Sequence, residues 1–190
     1  MKKQPLLLGI TGAFGSGKST AAAFFAARGF TFIRLSSYIE EEIKRHHASE
    51  ITRTLLQEKG NALRARFGAG VLAKRVLEQI AKEKLERVVI EGISNMEEVE
   101  RLYKNPNFLL LAIVTDRDIR LRRLQTISGQ EVLTMQTFAK QDYSELGVGE
   151  KDTGMQTGMC IALADVYVEN NNTKAVLEKK LEKYLEETTE

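Results

Sequence analysis

The sequence predicts an α/β domain built around a parallel sheet, and three observations predict it. A glycine-rich phosphate-binding loop directly follows an apolar run, Leu6-Leu7-Leu8-Gly9-Ile10. Strand-like and helix-like segments then alternate along the chain, the signature of helices packed on a parallel sheet. Phe108 to Val114 is apolar without a break, as a strand covered on both faces requires. At 190 residues the chain is long enough for one well-cored domain and short for two, so one domain spanning 1–190 is expected.

Taken in order, the first strand is expected over Leu6–Thr11 and a short second one over Thr31–Arg34. Between them lies a helix from Ser19 to about Arg28, stopped by Gly29. Ser36 or Ser37 caps a helix from Tyr38 to about His47. The stripe Ile51, Leu55, Leu63 and Phe67 predicts further helix, with Gly60 weakening its centre enough to allow two pieces. Val71 to about Lys84 is helical, with Val71, Leu72, Val76, Leu77 and Ile80 facing inward.

Arg87–Gly92 reads as a β-branched strand ending in a carboxylate followed by glycine. A helix from Met96 to Tyr103 is closed by Asn105-Pro106-Asn107, and the buried strand Phe108–Val114 follows. Asp116 to about Gln125 is an arginine-rich helix. Residues 126–158 are polar and glycine-containing, and they read as a mobile, lid-like insertion outside the core, with a short helical piece around Val132–Leu146. A helix from Met155 to Ala164, a strand from Asp165 to Glu169 and a closing helix from Thr173 to about Glu187 complete the chain. The closing helix carries Val176, Leu177, Leu181, Tyr184 and Leu185 on one side.

The loop Gly12-Ala13-Phe14-Gly15-Ser16-Gly17-Lys18-Ser19-Thr20 fits G-x-x-x-x-G-K-[ST]. Gly12, Gly15 and Gly17 let the backbone turn tightly with its amides inward, so that N–H dipoles surround an anion at a helix N-terminus. Lys18 supplies a point charge for β- and γ-phosphates, and the Ser19 hydroxyl is a ligand for Mg²⁺. Glu91 closes its strand beside this loop. There it either holds a Mg²⁺ water or accepts a proton from an acceptor hydroxyl, or else it caps a neighbouring helix. Arg120 and Arg123, three apart, share a helix face and are the expected charge stabilisers of a transferring phosphoryl group, whereas Arg117 and Arg122 read as ion-paired surface residues. Arg34, Arg53, Arg64 and Arg66 are candidates to hold a second phosphate. Asn170-Asn171-Asn172-Thr173 either contacts the base of a nucleotide or forms a turn with Thr173 as helix cap.

Charge and composition narrow the partners. Lys plus Arg number 28 against 26 Asp plus Glu, so a net charge of +2 gives no reason to expect nucleic acid. No apolar run approaches the ~20 residues of a membrane span, and Met1-Lys2-Lys3-Gln4-Pro5 leads into a segment too short for a signal peptide, so no membrane partner and a cytoplasmic location are expected. Cys160 is the only cysteine, which excludes an internal disulfide, and adjacent His46 and His47 read as solvated side chains.

These motifs together resemble the P-loop small-molecule kinases, above all the dephospho-CoA kinase-like group and the kinase-like domain of dCMP-deaminase-type proteins. The resemblance rests on residues 9–20, Arg34-Leu35-Ser36, Gly60-Asn61-Ala62-Leu63-Arg64, Gly70-Val71-Leu72-Ala73, Val89-Ile90-Glu91-Gly92-Ile93, Arg120, Arg123, and Ala164-Asp165 with Asn170. It implies a P-loop three-layer sandwich whose five parallel strands run in the order 2-3-1-4-5, with a helical acceptor region and a lid. It also implies ATP and Mg²⁺ as cofactors and a small nucleotide-like acceptor, dephospho-CoA or a (deoxy)nucleoside monophosphate. Such kinases tend to carry Asp where this chain has Ser37, and Arg where it has Ser94. Those departures favour the alternative of an ATP-binding regulatory protein that has lost transfer. Asn-Lys-x-Asp, which would read guanine, is missing from the sequence.

Overall fold

A computed structural model of the protein describes residues 6–46, 51–127 and 133–189. Its elements are β1 (Leu6–Thr11), α1 (Lys18–Ala26), β2 (Thr31–Arg34), α2 (Leu35–His46), α3 (Arg53–Phe67), α4 (Val71–Glu83), β3 (Arg87–Glu91), α5 (Met96–Leu102), β4 (Phe108–Val114), α6 (Arg117–Ile127), α7 (Met135–Leu146), α8 (Thr157–Ala162), β5 (Val166–Glu169) and α9 (Lys174–Thr189). The strands form one parallel sheet in the order β2-β3-β1-β4-β5. This is the order implied by the resemblance.

The sheet separates two apolar cores. On one face Leu8, Ile10, Val89, Leu111 and Ile113 meet Phe24 and Phe25 of α1 and Leu177 and Leu181 of α9. On the other, Leu7, Val88, Ile90 and Leu110 meet α2, α4 and α5 through Ile43, Val76, Ile80 and Val99. Strands buried on both faces need apolar residues at every position, which is why β1 and β4 show no polar alternation. The helix that follows β1 therefore lies on one face and the helix that follows β3 on the other. Adjacent strands whose helices diverge in this way open a crevice at their carboxyl ends.

Several elements depart from expectation. α2 starts at Leu35, directly at the end of β2, so Ser36 and Ser37 lie inside its first turn instead of capping it. α3 runs unbroken through Gly60, because that position serves packing: a Cβ there would stand 3.0 Å from Ile39 Cδ1. Phe67, expected on the buried stripe, is exposed beneath the Arg66 guanidinium, and Val176 of α9 is exposed as well. The expectation for His46 and His47 falls outside the described side chains.

The largest difference concerns the polar insertion. Its residues 128–132 lie outside the described residues, but α7 packs against the molecule and buries Phe138, Asp142 and Glu145. Asn95 Nδ2 donates to the carbonyls of Asp152 and Gly154, both at 2.8 Å, and the Gln156 amide donates to Ser94 O at 2.6 Å. Polar composition suggested solvent exposure, but Asp142 and Glu145 serve as buried ion-pair partners. Among the described residues no helix is long and apolar enough to cross a membrane.

Candidate functional site

Register places the site. Glu91, the last residue of β3, lies opposite Ile10 of β1 and Arg34 of β2, so the carboxyl ends of three strands meet at one level. Immediately beyond β1 the chain forms the loop 12–17, with Gly12, Gly15 and Gly17 at φ of 149°, 78° and 99°. The close approach is tightest at Gly17, where a Cβ would fall 2.4 Å from Asn170 Nδ2. α1 then begins at Lys18 with no side chain capping its first turn, so those amides lack an intrahelical acceptor and face an anion site.

Inside the loop, Lys18 Nζ donates to the carbonyls of Gly12 (2.7 Å) and Ala13 (3.1 Å). Its pKa is lowered to about 8, first by desolvation and then by the nearby Arg53 and Arg120 cations. Ser16 Oγ is buried without a hydrogen-bond partner among the described residues, a hydroxyl that donation to an anion's oxygen or to a bound water would satisfy. Ala13 is buried, and Phe14 lines the cavity under Arg53, whose guanidinium sits 3.5 Å from the ring centroid. Thr20 lines the cavity described below.

Ser19 Oγ donates to Glu91 Oε1 at 2.6 Å, and Arg34 Nε donates to Glu91 Oε2 at 2.9 Å. Glu91 thus links the phosphate loop to β2 and caps no helix. No group of three or more His, Cys, Asp or Glu residues able to hold a metal occurs among the described residues. One hydroxyl and one carboxylate oxygen nonetheless suit Mg²⁺, which keeps most of its waters and takes the rest of its ligands from phosphate.

The two arginines expected to act together are separated. Arg120 is buried: it donates to Phe14 O (3.0 Å) and Thr115 O (3.2 Å), and both its amino groups pair with Asp142. It anchors the loop and does not line the cavity. Arg123 does line it, with Nη2 on Asn172 O at 2.8 Å and Nη1 without a hydrogen-bond partner among the described residues. Asn170 is turned inward: its Nδ2 donates to Ser16 O at 2.8 Å, while Thr115 Oγ1 ties the carbonyls of Ser16 and Asn170 together. Its amide braces the loop, and Asn170 and Asn172 both line the cavity described below.

A cavity of about 760 Å³ is lined both by the phosphate loop and by the apolar side chains of Ile39, Leu56, Leu72, Ile93 and Met155. Lys18, Arg34, Arg53, Arg64, Arg123 and Lys174 bring six cations to its walls, against the two carboxylates Glu91 and Glu145. Of the four acceptor-side arginines expected, Arg66 is exposed elsewhere. Arg64 is held by the buried Glu98 and by Ser94 Oγ at 3.0 Å, so an arginine at position 94 would set a second cation against it. Ser37 is off the cavity wall, its hydroxyl turned back onto Arg34 O at 2.7 Å, while Ser36 lines the wall. The sequence reading missed Asp142 and Glu145. Their spacing, with Phe138 one turn earlier, puts all three on one helix face, which was the available signal.

No known family model matches the chain. It is 31% identical over 180 residues to the UPF0200 protein of Sulfurisphaera tokodaii, covering 94% of this chain and 95% of that one. This chain belongs to the UPF0200 family. Among solved structures, this UPF0200 protein resembles a shikimate kinase from Acinetobacter baumannii in complex with shikimate, with TM-score 0.64, 16% identity and 97% and 96% of the two chains covered. It also resembles a dephospho-CoA kinase from Campylobacter jejuni, with TM-score 0.50, 16% identity and 97% of each chain covered. These likenesses establish a P-loop kinase-like fold and carry nothing toward the deaminase-type proteins.

Proposed function

We infer that this UPF0200 protein is an ATP- and Mg²⁺-dependent phosphotransferase acting on a small acceptor, with dephospho-CoA and (deoxy)nucleoside monophosphates as the first acceptors to test. One observation carries the reading. The cavity lined by the phosphate loop and Glu91 is lined also by the apolar side chains of Ile39, Leu56, Leu72 and Ile93 and by Arg34, Arg53 and Arg64, which supports room for an acceptor beside the donor's phosphates. A protein that only sensed a nucleotide's phosphates would have no use for that apolar lining beside the carboxylate.

In this reading the loop amides and Lys18 hold the donor's phosphates, and Ser19 with Glu91 holds Mg²⁺, which when bound neutralises phosphate charge. Glu91 Oε2, on the Arg34 side, takes the proton of an acceptor hydroxyl as the acceptor oxygen bonds the terminal phosphorus and the bond to the leaving diphosphate breaks. Where the acceptor is itself a phosphate, its oxygen attacks already deprotonated and Glu91 serves the metal alone. Arg123, with a free amino group at the cavity wall, stabilises the equatorial oxygens. Arg120 acts one step back, by fixing the carbonyl of Phe14.

The test is ATP consumption with purified protein against a panel of nucleosides, nucleoside monophosphates and dephospho-CoA. Acceptor-dependent ADP formation, lost in Lys18→Ala, supports the reading. Micromolar ATP binding with no acceptor-dependent turnover across the panel overturns it in favour of a nucleotide-binding regulator.

A further inference from the structure

Arg53 and Glu145 form an ion pair in an unusual setting. Glu145 is 5% exposed, on α7, whereas the Arg53 side chain is 45% exposed and lines the cavity. The guanidinium lies over Phe14 of the phosphate loop, close enough to Lys18 to disfavour that residue's charged form. A buried carboxylate needs a cation, and a cation at a phosphate site needs an anion when no ligand is bound. One contact satisfies both needs.

We propose that Arg53 is an anion-binding residue of this site and that Glu145 holds its guanidinium until a ligand phosphate displaces the carboxylate. The proposal rests on the phosphate-binding reading of the loop and deepens it by coupling ligand arrival to α7. Asp142, one turn earlier on the same face of α7, keeps its hold on Arg120 and Arg117, so the exchange is confined to the end of the helix nearest Gly147. Once Arg53 turns to a phosphate, the Glu145 carboxylate loses its counter-charge and α7 loses a tether at that end. A helix that carries two buried acids against the loop thereby becomes a ligand-sensitive cover, a role its polar composition does not announce.

The chemistry that Arg53 recognises, a phosphate oxyanion, belongs to donor and acceptor alike. The experiment separates them by titrating inorganic tripolyphosphate into the free protein and then inorganic monophosphate into protein saturated with tripolyphosphate. In the arm where Arg53 acts, Glu145→Gln tightens binding about fivefold or more and Arg53→Ala weakens it about tenfold or more. Glu145→Gln added to Arg53→Ala then changes nothing, because the competition has lost its object. In the unmutated protein the ¹³C carboxyl resonance of Glu145 shifts on saturation, a readout that does not depend on a variant folding. Weaker binding in Glu145→Gln, unchanged binding in Arg53→Ala in both arms, or a static Glu145 resonance overturns the exchange. Lys18→Ala separates the two readings: if it leaves tripolyphosphate binding intact the phosphate loop reading itself fails, whereas its loss beside an inert Glu145→Gln condemns the exchange alone.

Discussion

Ser19 and Glu91 stand 72 positions apart in the chain, yet the Ser19 hydroxyl donates to the Glu91 carboxylate at 2.6 Å. The contact exists because β1 and β3 are sheet neighbours with Ile10 opposite Glu91, so that the turn after β1 brings the first residues of α1 over the end of β3. Glu91→Gln keeps this shape and removes the charge. It is expected to lower turnover by about 10²–10⁴-fold, in the range of general-base assistance, while leaving ATP affinity nearly unchanged. Parallel isothermal titration and steady-state kinetics check it; full turnover in the variant contradicts the role.

Lys18 makes ligand binding depend on pH. In the free protein its ammonium is neutralised near pH 8, whereas in the unfolded chain this occurs near 10.5. Because the folded pKa is the lower one, the folded state carries the whole penalty of the buried charge below about pH 8. That penalty is relieved, and stability rises, between pH 8 and 10.5. A triphosphate needs the charged form, so its affinity is expected to be flat from pH 6.5 to about 8 and to fall above that. Calorimetry at pH 8.5 in buffers of different ionisation enthalpy should show proton uptake on binding, and its absence would contradict the assignment.

Position 37 offers a test of the acceptor side. Ser37 Oγ bonds its own helix entrance at Arg34 O and does not reach the cavity, so Ser37→Asp is expected to leave acceptor turnover within about twofold of the parent, the scale of a surface substitution. A gain of tenfold or more would show that α2 rearranges when ligands bind.

Arg64 and Glu98 are 4% and 0% exposed, and Glu98 also accepts from the Ser94 and Asn95 amides at 3.0 and 3.1 Å. Glu98→Ala leaves a buried guanidinium unpaired and removes half of the capping box of α5. The expected loss is about 3–5 kcal/mol, read as a lower urea midpoint at unchanged slope. A loss below about 1 kcal/mol would mean that water replaces the carboxylate.

Cys160 reports opening of the core without a mutation. It is fully buried, and burial with the nearby Glu98 charge pushes its thiol up to about 12. Its reaction with a disulfide reagent at pH 8 is expected to follow the rate of structural opening and to accelerate with urea. Rapid reaction in native buffer would show that the α8 side of the core opens locally.

The phosphate loop, the five strands and their parallel pairing were legible from local pattern, because a buried parallel strand and a glycine-lysine-serine turn each impose their residue types over a few consecutive positions. Glu91 was legible for the same reason, as an acid that closes an apolar strand. Tertiary structure alone decided which arginines line the cavity. Arg120 and Arg123 are equivalent on a helical wheel, yet Arg120 is drawn into the fold by Asp142 and Phe14 O while Arg123 remains at the cavity. It likewise decided that Asn170 braces the loop and that α7 buries its acids. A charged side chain takes its role from the counter-charge it meets. For Arg53 and Glu145, which lie 92 residues apart, no local sequence pattern specifies that meeting.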